Sequence, residues 1–411
     1  MLPQARIVEE TVSPTAGSPG GLAAPTWHSE LPHHVADVAQ VIGTAGHSLD
    51  WDDYSHPMHG HCSSVLLGAL WPLAEALDSS GADLLTAFLA GYQADFLTSV
   101  ALSHAHYRRG WHATSTIGVV GAAGAASRVL ELDVSRTATA LAIAASSAGG
   151  IRANFGTMTK AAHAGFAARD GVRAALLARA GMTASPDWLL GPSSMLECFS
   201  GEFGADEALD EVVRHAGQPH GISSEWGLIQ KLYPCCGSVH GALDVVIEAV
   251  KAADLRPEEI EEVIVHVDPL VLQIMRVERP EDAEGARYSP SWLVAAAVQD
   301  RAITPALARP EVHALRERVR IVPDREADND TRFGGAVDVR ARGQVFSAQT
   351  PYPSGHPRKP LTAEQLRQKS LSALGTAMHR AAAEEVHEAI AGLEQLPVRS
   401  VGERIRAGLR G

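Results

Sequence analysis

Through the first half of the chain, apolar residues recur every three or four positions. Segments 63–77, 81–107, 114–131, 135–148 and 158–181 carry this spacing, broken by Gly, Asp and Ser, as in SSG at 79–81 and at Gly181. The pattern predicts a bundle of helices beginning near Ala36. Within 117–126 and 161–168 the small residues themselves recur at helical spacing, which permits short distances between helices. The opening stretch is rich in Pro, Gly, Ser and Thr and reads as a flexible arm over residues 1–26.

The pattern changes after about Gly221. Residues 260–268, 317–323 and 335–349 alternate and are β-branched, with helices predicted at 238–253 and 289–299. A breaker-rich loop at 351–360 precedes a return to helix capped by Thr362. The expected fold class is mainly α. A large helical domain over 27–222 is followed by a smaller α+β domain over 223–360, and helices over 361–411 rejoin the first bundle, so that the α+β part is an insertion.

Composition narrows the function classes. Aromatic residues supply only 5% of a chain that is 45% hydrophobic, so the core must be built from closely approaching small-residue helices rather than large rings. A formal charge of −13 disfavours nucleic acid and anionic membranes as partners. An anionic substrate would need a local cationic pocket. The four cysteines form no CxxC pair, the N-terminal stretch lacks the basic start and apolar run of a signal peptide, and no apolar stretch is long enough for a membrane span. These features predict a reducing, cytoplasmic setting.

Four segments carry candidate chemistry. GHSLDWDDYSHPMHGHC at 46–62 gathers His47, Asp50, Asp52, Asp53, His56, His59 and His61. Three readings are open for it: a metal site without a recognised zinc spacing, an acid/base loop in which a carboxylate orients an imidazole, or solvated loop side chains. RRGWHATSTIG at 108–118 sets Arg108, Arg109 and His112 before a helix start, which suits an anion or simply a capped helix. In ANFGTMTKAAHAGFAARDG at 153–171, Lys160 and His163 share a helix face among small residues. That lysine either reaches a cavity, where it would anchor a carboxylate or stabilise an enolate, or extends to solvent. KLYPCCGSVHGALD at 231–244 combines Lys231, Cys236 and His240, either a Cys/His pair or a small buried thiol.

Taken in order, these segments and PSGHPRKPLTAEQL at 353–366 resemble the MmgE/PrpD family, from about Gly43 to about Leu396. That family includes 2-methylcitrate dehydratases, cis-aconitate decarboxylases and iminodisuccinate epimerase. The resemblance implies an all-helical domain with a smaller α+β lid, a site between them, a homodimer, and no metal or organic cofactor. Against the decarboxylase pattern, Asp50, His59, His112, Lys160 and Lys231 match; Tyr54 stands where that enzyme has Thr, Cys236 where it has His, and Trp292 where it has Tyr. About 40 residues precede the first motif, a shortened start for the family.

The resulting expectation is a cofactor-independent enzyme that removes a proton next to a carboxylate of a small di- or tricarboxylate. A 2-methylcitrate dehydratase-like lyase comes first; an iminodisuccinate-type epimerase and a catalytically silent binding member are the alternatives. Lys160 and Lys231 would supply positive charge, His59 or His112 the proton carrier, Asp50 the orienting carboxylate and Arg109 attraction for the anion. Tyr54, Cys236 and Trp292 would line the pocket. With Asp50 beside His59 and a helix start beside His112, His112 is the better base, His59 the better acid, and the pH–rate profile is a bell with limbs near 6.5.

Overall fold

The computed structural model describes residues 3–10, 22–29, 31–201, 204–216, 221–224, 226–305, 312–324 and 333–410. Its centre is a set of packed helices, Val35–His47, Ser63–Ala76, Gly81–Arg108, Gly118–Val129, Val134–Ser146 and Met158–Arg179. The small-residue pattern explains their closeness. A Cβ on Gly68 would lie 2.8 Å from the Gly43 Cα, and one on Gly165 would overlap the Gln40 carbonyl and the Thr44 side chain. Three helices therefore meet backbone to backbone, and two of them lead directly into the site described below.

The segment 114–131 is not one helix. A short turn, Ala113–Thr116, is followed by Gly118–Val129, with Ile117 between them. The chain start differs too: Pro3–Glu10 is a helix with Gln4, Ala5 and Val8 buried, where a flexible arm is expected; residues 11–21 of that arm lie outside the described residues. Gln4 donates from Nε2 to the Ser48 carbonyl at 3.1 Å and lies 3.4 Å from Glu284 Oε1, so it ties the first helix to two distant segments.

A four-stranded sheet runs in the order Val319–Pro323, Ile260–Val267, Gly335–Ala341, Gln344–Thr350. The first pair is parallel, with Val263 opposite Val319, and the others are antiparallel. What reads as one stretch over 335–349 is a hairpin. Arg342 and Gly343 both adopt positive φ, 54° and 65°, the geometry of a type I′ turn that matches strand twist. Helix His240–Ala252 buries Val245, Val246 and Val250 against this sheet.

The last helix, Val398–Arg410, docks on Ser63–Ala76 through a buried ion pair, Arg406 Nη1 to Glu75 Oε1 at 3.0 Å. Glu75 also accepts from Trp71 Nε1 at 3.2 Å, and its carbonyl accepts from Arg399. No helix among the described residues is long and apolar enough to cross a membrane.

Candidate active site

A two-residue pairing assembles the site. Tyr54–Ser55 pairs antiparallel with Leu228–Ile229, Tyr54 opposite Ile229. That brings Lys231, two residues beyond one strand, to Asp50, four residues before the other. Asp50 takes a positive φ of 51° just after helix Val35–His47, so its carboxylate turns inward. Lys160 arrives from the first turn of Met158–Arg179 and Tyr288 from the turn before Pro290–Asp300.

Asp50 is the hub. Lys160 Nζ donates to its Oδ1 at 2.8 Å, Lys231 Nζ donates to the same oxygen and, at 2.8 Å, to the Asp50 carbonyl, and the Tyr288 hydroxyl donates to Oδ2 at 2.7 Å. All four side chains are buried. Burial opposes ionisation of Asp50, but Lys160 and Lys231 together outweigh it and hold the carboxyl well below its ordinary range. Burial also pulls Lys160 down, against the attraction of Asp50, while Lys231 is raised because Asp50 and Asp52 outweigh its desolvation. Two ammonium groups share one carboxylate below the surface of an acidic protein, and the ionised Asp52 beside them balances the remaining positive charge.

Above the trio lies a small pocket of about 40 Å³, lined by Tyr54, His59, His61, His112, Lys160 and Cys236 among others. The predicted residues Asp50, His59, His112, Lys160, Lys231, Tyr54 and Cys236 are thus gathered in one place. The imidazole beside Asp50, however, is His61 and not His59: His61 Nε2 is 3.7 Å from Asp50 Oδ1, and its Nδ1 lies 2.8 Å from the Asp53 carbonyl. His59, itself at a positive φ of 52°, packs among His104, Tyr107 and Phe333. Burial, reinforced by His104, His56 and Arg152, pushes it well below 6.5. Burial and then His163, rather than a helix start, do the same to His112. Both imidazoles are held below their ordinary range and so are neutral at pH 7, and the expected charged acid at His59, with pH limbs near 6.5, gives way to a site of neutral imidazoles.

Two other expectations are corrected. Arg109 is exposed at the end of helix Gly81–Arg108, against Gly201, away from the pocket. Trp292 is fully buried within Pro290–Asp300 with its ring edge against His313 at 4.6 Å, because the helix rotation points it into the core. Cys236 does line the pocket, but its thiol meets Ser238 Oγ at 3.2 Å, and it is Cys235 that meets His240. Burial raises both thiols, so neither presents a thiolate. The Tyr54 hydroxyl is buried with no hydrogen-bond partner among the described residues. Residues that sequence reasoning missed are Tyr288, Tyr107 and Arg152, which lie outside the quoted motifs, and Phe155, which lies inside the 153–171 segment but is not singled out there.

His47, Asp50, Asp52 and His61 place ligand atoms within 4.8 Å of one another, the closeness a divalent cation would require. The donors are already committed. His47 Nδ1 is 2.8 Å from Asp52 Oδ2, and Asp50 holds two ammonium groups that a dication would have to face or displace. The group is an ion-pair network supporting the pocket floor.

A helical core thus brings two buried lysines, the carboxylate they share and several imidazoles of lowered pKa together around one pocket. Comparison with known proteins gives the family. The MmgE/PrpD N-terminal domain matches residues 2–208 and the MmgE/PrpD C-terminal domain residues 233–395, so the chain belongs to the MmgE/PrpD family, with a match that reaches back beyond Gly43 into the first helix. It is similar to cis-aconitate decarboxylase of Mus musculus, 31% identical over 90% of this chain and 78% of that protein. The Homo sapiens enzyme of the same name is 31% identical over 81% and 71%, and that of Aspergillus terreus 26% over 85% and 76%.

Proposed function

We propose that the chain is a lyase acting on a small di- or tricarboxylate, through removal of a proton from the carbon next to a carboxylate. The observation that carries this reading is the buried Lys160–Asp50–Lys231 trio, two ammonium groups fixed on one carboxylate beside neutral His112 and His61. A carbon acid of this kind ionises only if the carbanion is stabilised as an enediolate, and fixed cations in a water-poor pocket do this. The similarity to cis-aconitate decarboxylases supports a carboxylic acid of that size as substrate.

In the reaction we favour, a 2-methylcitrate dehydratase-like elimination, the substrate proton passes to His112. The electron pair moves into the carboxylate beside Lys160, then returns to form the C=C bond. The β hydroxyl leaves as water with the proton carried by the imidazolium. Tyr54 and Cys236, standing where the decarboxylase pattern has Thr and His, favour this form over decarboxylation. Decarboxylation of cis-aconitate is the second reading, favoured by the names of the relatives. Each of these steps uses side chains alone. A homodimer in the cytoplasm remains part of the proposal.

The test is product analysis with 2-methylcitrate, citrate, cis-aconitate and iminodisuccinate. Formation of an unsaturated acid from a hydroxy acid supports the dehydratase; release of CO₂ from cis-aconitate supports the second reading. Inversion at carbon without bond loss would replace a lyase by an epimerase. Binding with no turnover of any acid would leave a silent member of the family.

A further inference from the structure

The pocket above the trio is far smaller than the acids proposed for it. At about 40 Å³ it has room for a few waters, whereas a di- or tricarboxylate of five to seven carbons fills several times that volume. Next to it lies a second cavity of about 300 Å³, which shares Phe155, Ile274 and Tyr288 with the first and is lined also by Arg152, Gln273 and Arg276. The shared walls give a bound acid a route from one into the other.

Arg152 is the notable wall of that second cavity. Its Nε and Nη1 are buried and have no hydrogen-bond partner among the described residues. An unpaired guanidinium N–H shielded from water is costly, and such groups are ordinarily met by an acceptor. The side chain is nonetheless well placed. Its Cζ sits 4.4 Å from the centre of the Tyr107 ring, and Tyr107 lines the catalytic pocket. The backbone is fixed as well: Arg152 N donates to the Gly110 carbonyl at 2.8 Å, and two residues further along that loop His112 N donates to the Gly150 carbonyl at 3.0 Å. The arginine and the proton-carrying histidine are therefore locked to one another through two short backbone bonds.

We infer that Arg152 is a carboxylate anchor that reads the third carboxylate of the substrate, while Lys160 holds the carboxylate next to the reacting carbon. The inference rests on the function proposed above. A planar guanidinium on the wall of the second cavity, stacked on a ring that lines the first, matches a carboxylate, and that position gives selectivity for acids that carry an additional carboxylate over shorter ones.

The test is titration calorimetry with tricarballylate and glutarate, two stable acids that differ by one carboxylate, on the wild type, Arg152→Gln, Arg152→Lys and Lys160→Ala. The wild type is expected to bind tricarballylate more tightly than glutarate. Arg152→Gln should erase that preference, a loss of about 10- to 100-fold for tricarballylate, with glutarate unchanged. Arg152→Lys should restore it only in part, because the charge and the ring contact remain but the fork is lost; it also serves as the test should the Gln variant fail to fold. Lys160→Ala should weaken both acids. An unchanged preference in Arg152→Gln or a full preference in Arg152→Lys overturns the anchor while leaving the lyase reading in place. If the wild type binds neither acid, the carboxylate reading fails, and the anchor with it.

Discussion

The Nδ1 atoms of His112 and His163 face each other at 2.9 Å, a distance at which one must donate and the other accept. When His112 donates, its Nε2 keeps a lone pair and can take a proton, and the imidazolium that results donates a stronger bond to His163. Replacing His112 by Ala should therefore lower turnover by about 10²- to 10⁴-fold. His163→Ala should cost less, with the main loss in kcat rather than KM, because the base remains but its tautomer is no longer set. Steady-state kinetics on the two variants check this; equal, small effects would remove His112 from the chemistry.

The pH profile follows from burial. His112 is held well below 6.5 by burial and His163 is pushed down to about 4 by burial, with His47 and Lys160 adding to it. A base whose value is depressed stays competent as pH falls through 6.5 and is lost only at more acid pH. The rate should be flat from about pH 6 to 8 with an acid limb well below 6.5. A limb at 6.5 that disappears in His112→Gln would show an ordinary, solvated imidazole and contradict the buried pocket.

The lysines are structural as well as chemical. Lys231 is fully buried and Lys160 is 5% exposed. Lys231→Ala leaves a buried carboxylate short of one partner, and breaking such a pair costs about 3–5 kcal/mol. Lys231→Met combined with Asp50→Asn should recover much of that stability without recovering activity. Lys160→Ala, at the pocket wall, should lower turnover by about 10²- to 10³-fold, and Lys160→Arg should not restore it. Thermal melts alongside kinetics separate the two effects, and wild-type turnover in Lys160→Ala would place that lysine outside the reaction.

Acid stability gives an independent check. His106, bonded to Thr116 Oγ1 at 2.7 Å, is pushed down to about 4 by burial and by Arg152, and His240 to about 3 by burial and by Lys231. Near 6.5 the unfolded chain takes up protons that the folded chain refuses. Stability is thus present above 6.5 and is lost as pH falls towards 4. Melting temperature should fall through that window, and His106→Gln should make the fall shallower.

The ion-pair reading of His47, Asp50, Asp52 and His61 predicts that exhaustive EDTA treatment leaves turnover unchanged and that elemental analysis finds less than about one metal per chain. A stoichiometric metal whose removal abolishes turnover would make these residues ligands.

How much of this was legible in the chain depends on whether a residue's position is set by local pattern. The bundle helices follow from apolar spacing, and Lys160 from its place among small residues on one helix face. Asp50 and Lys231 are 181 positions apart, and the short pairing of Tyr54–Ser55 with Leu228–Ile229 and the bond from Trp51 Nε1 to the Leu232 carbonyl join them. Arg109 looks apt because it neighbours His112 in sequence, yet it caps a helix end, while Arg152 is brought in by a backbone bond to Gly110. Tyr288 rather than Trp292 reaches Asp50 because it lies just before the helix that begins at Pro290. The hairpin was hidden because Arg342 takes a left-handed conformation that its side chain does not advertise.

The central claim is proton removal next to a carboxylate at the Lys160–Asp50–Lys231 trio. Proton NMR of 2-methylcitrate, citrate, cis-aconitate and iminodisuccinate in D₂O, with wild type and Lys160→Ala side by side, tests it most directly. The account predicts that the wild type introduces deuterium next to a carboxylate, or into the product, for at least one of these acids, and that Lys160→Ala slows this by about 10²-fold or more. Deuterium uptake at the same rate in both proteins, or no uptake into any of these acids or their products once the reaction has come to equilibrium, would contradict it.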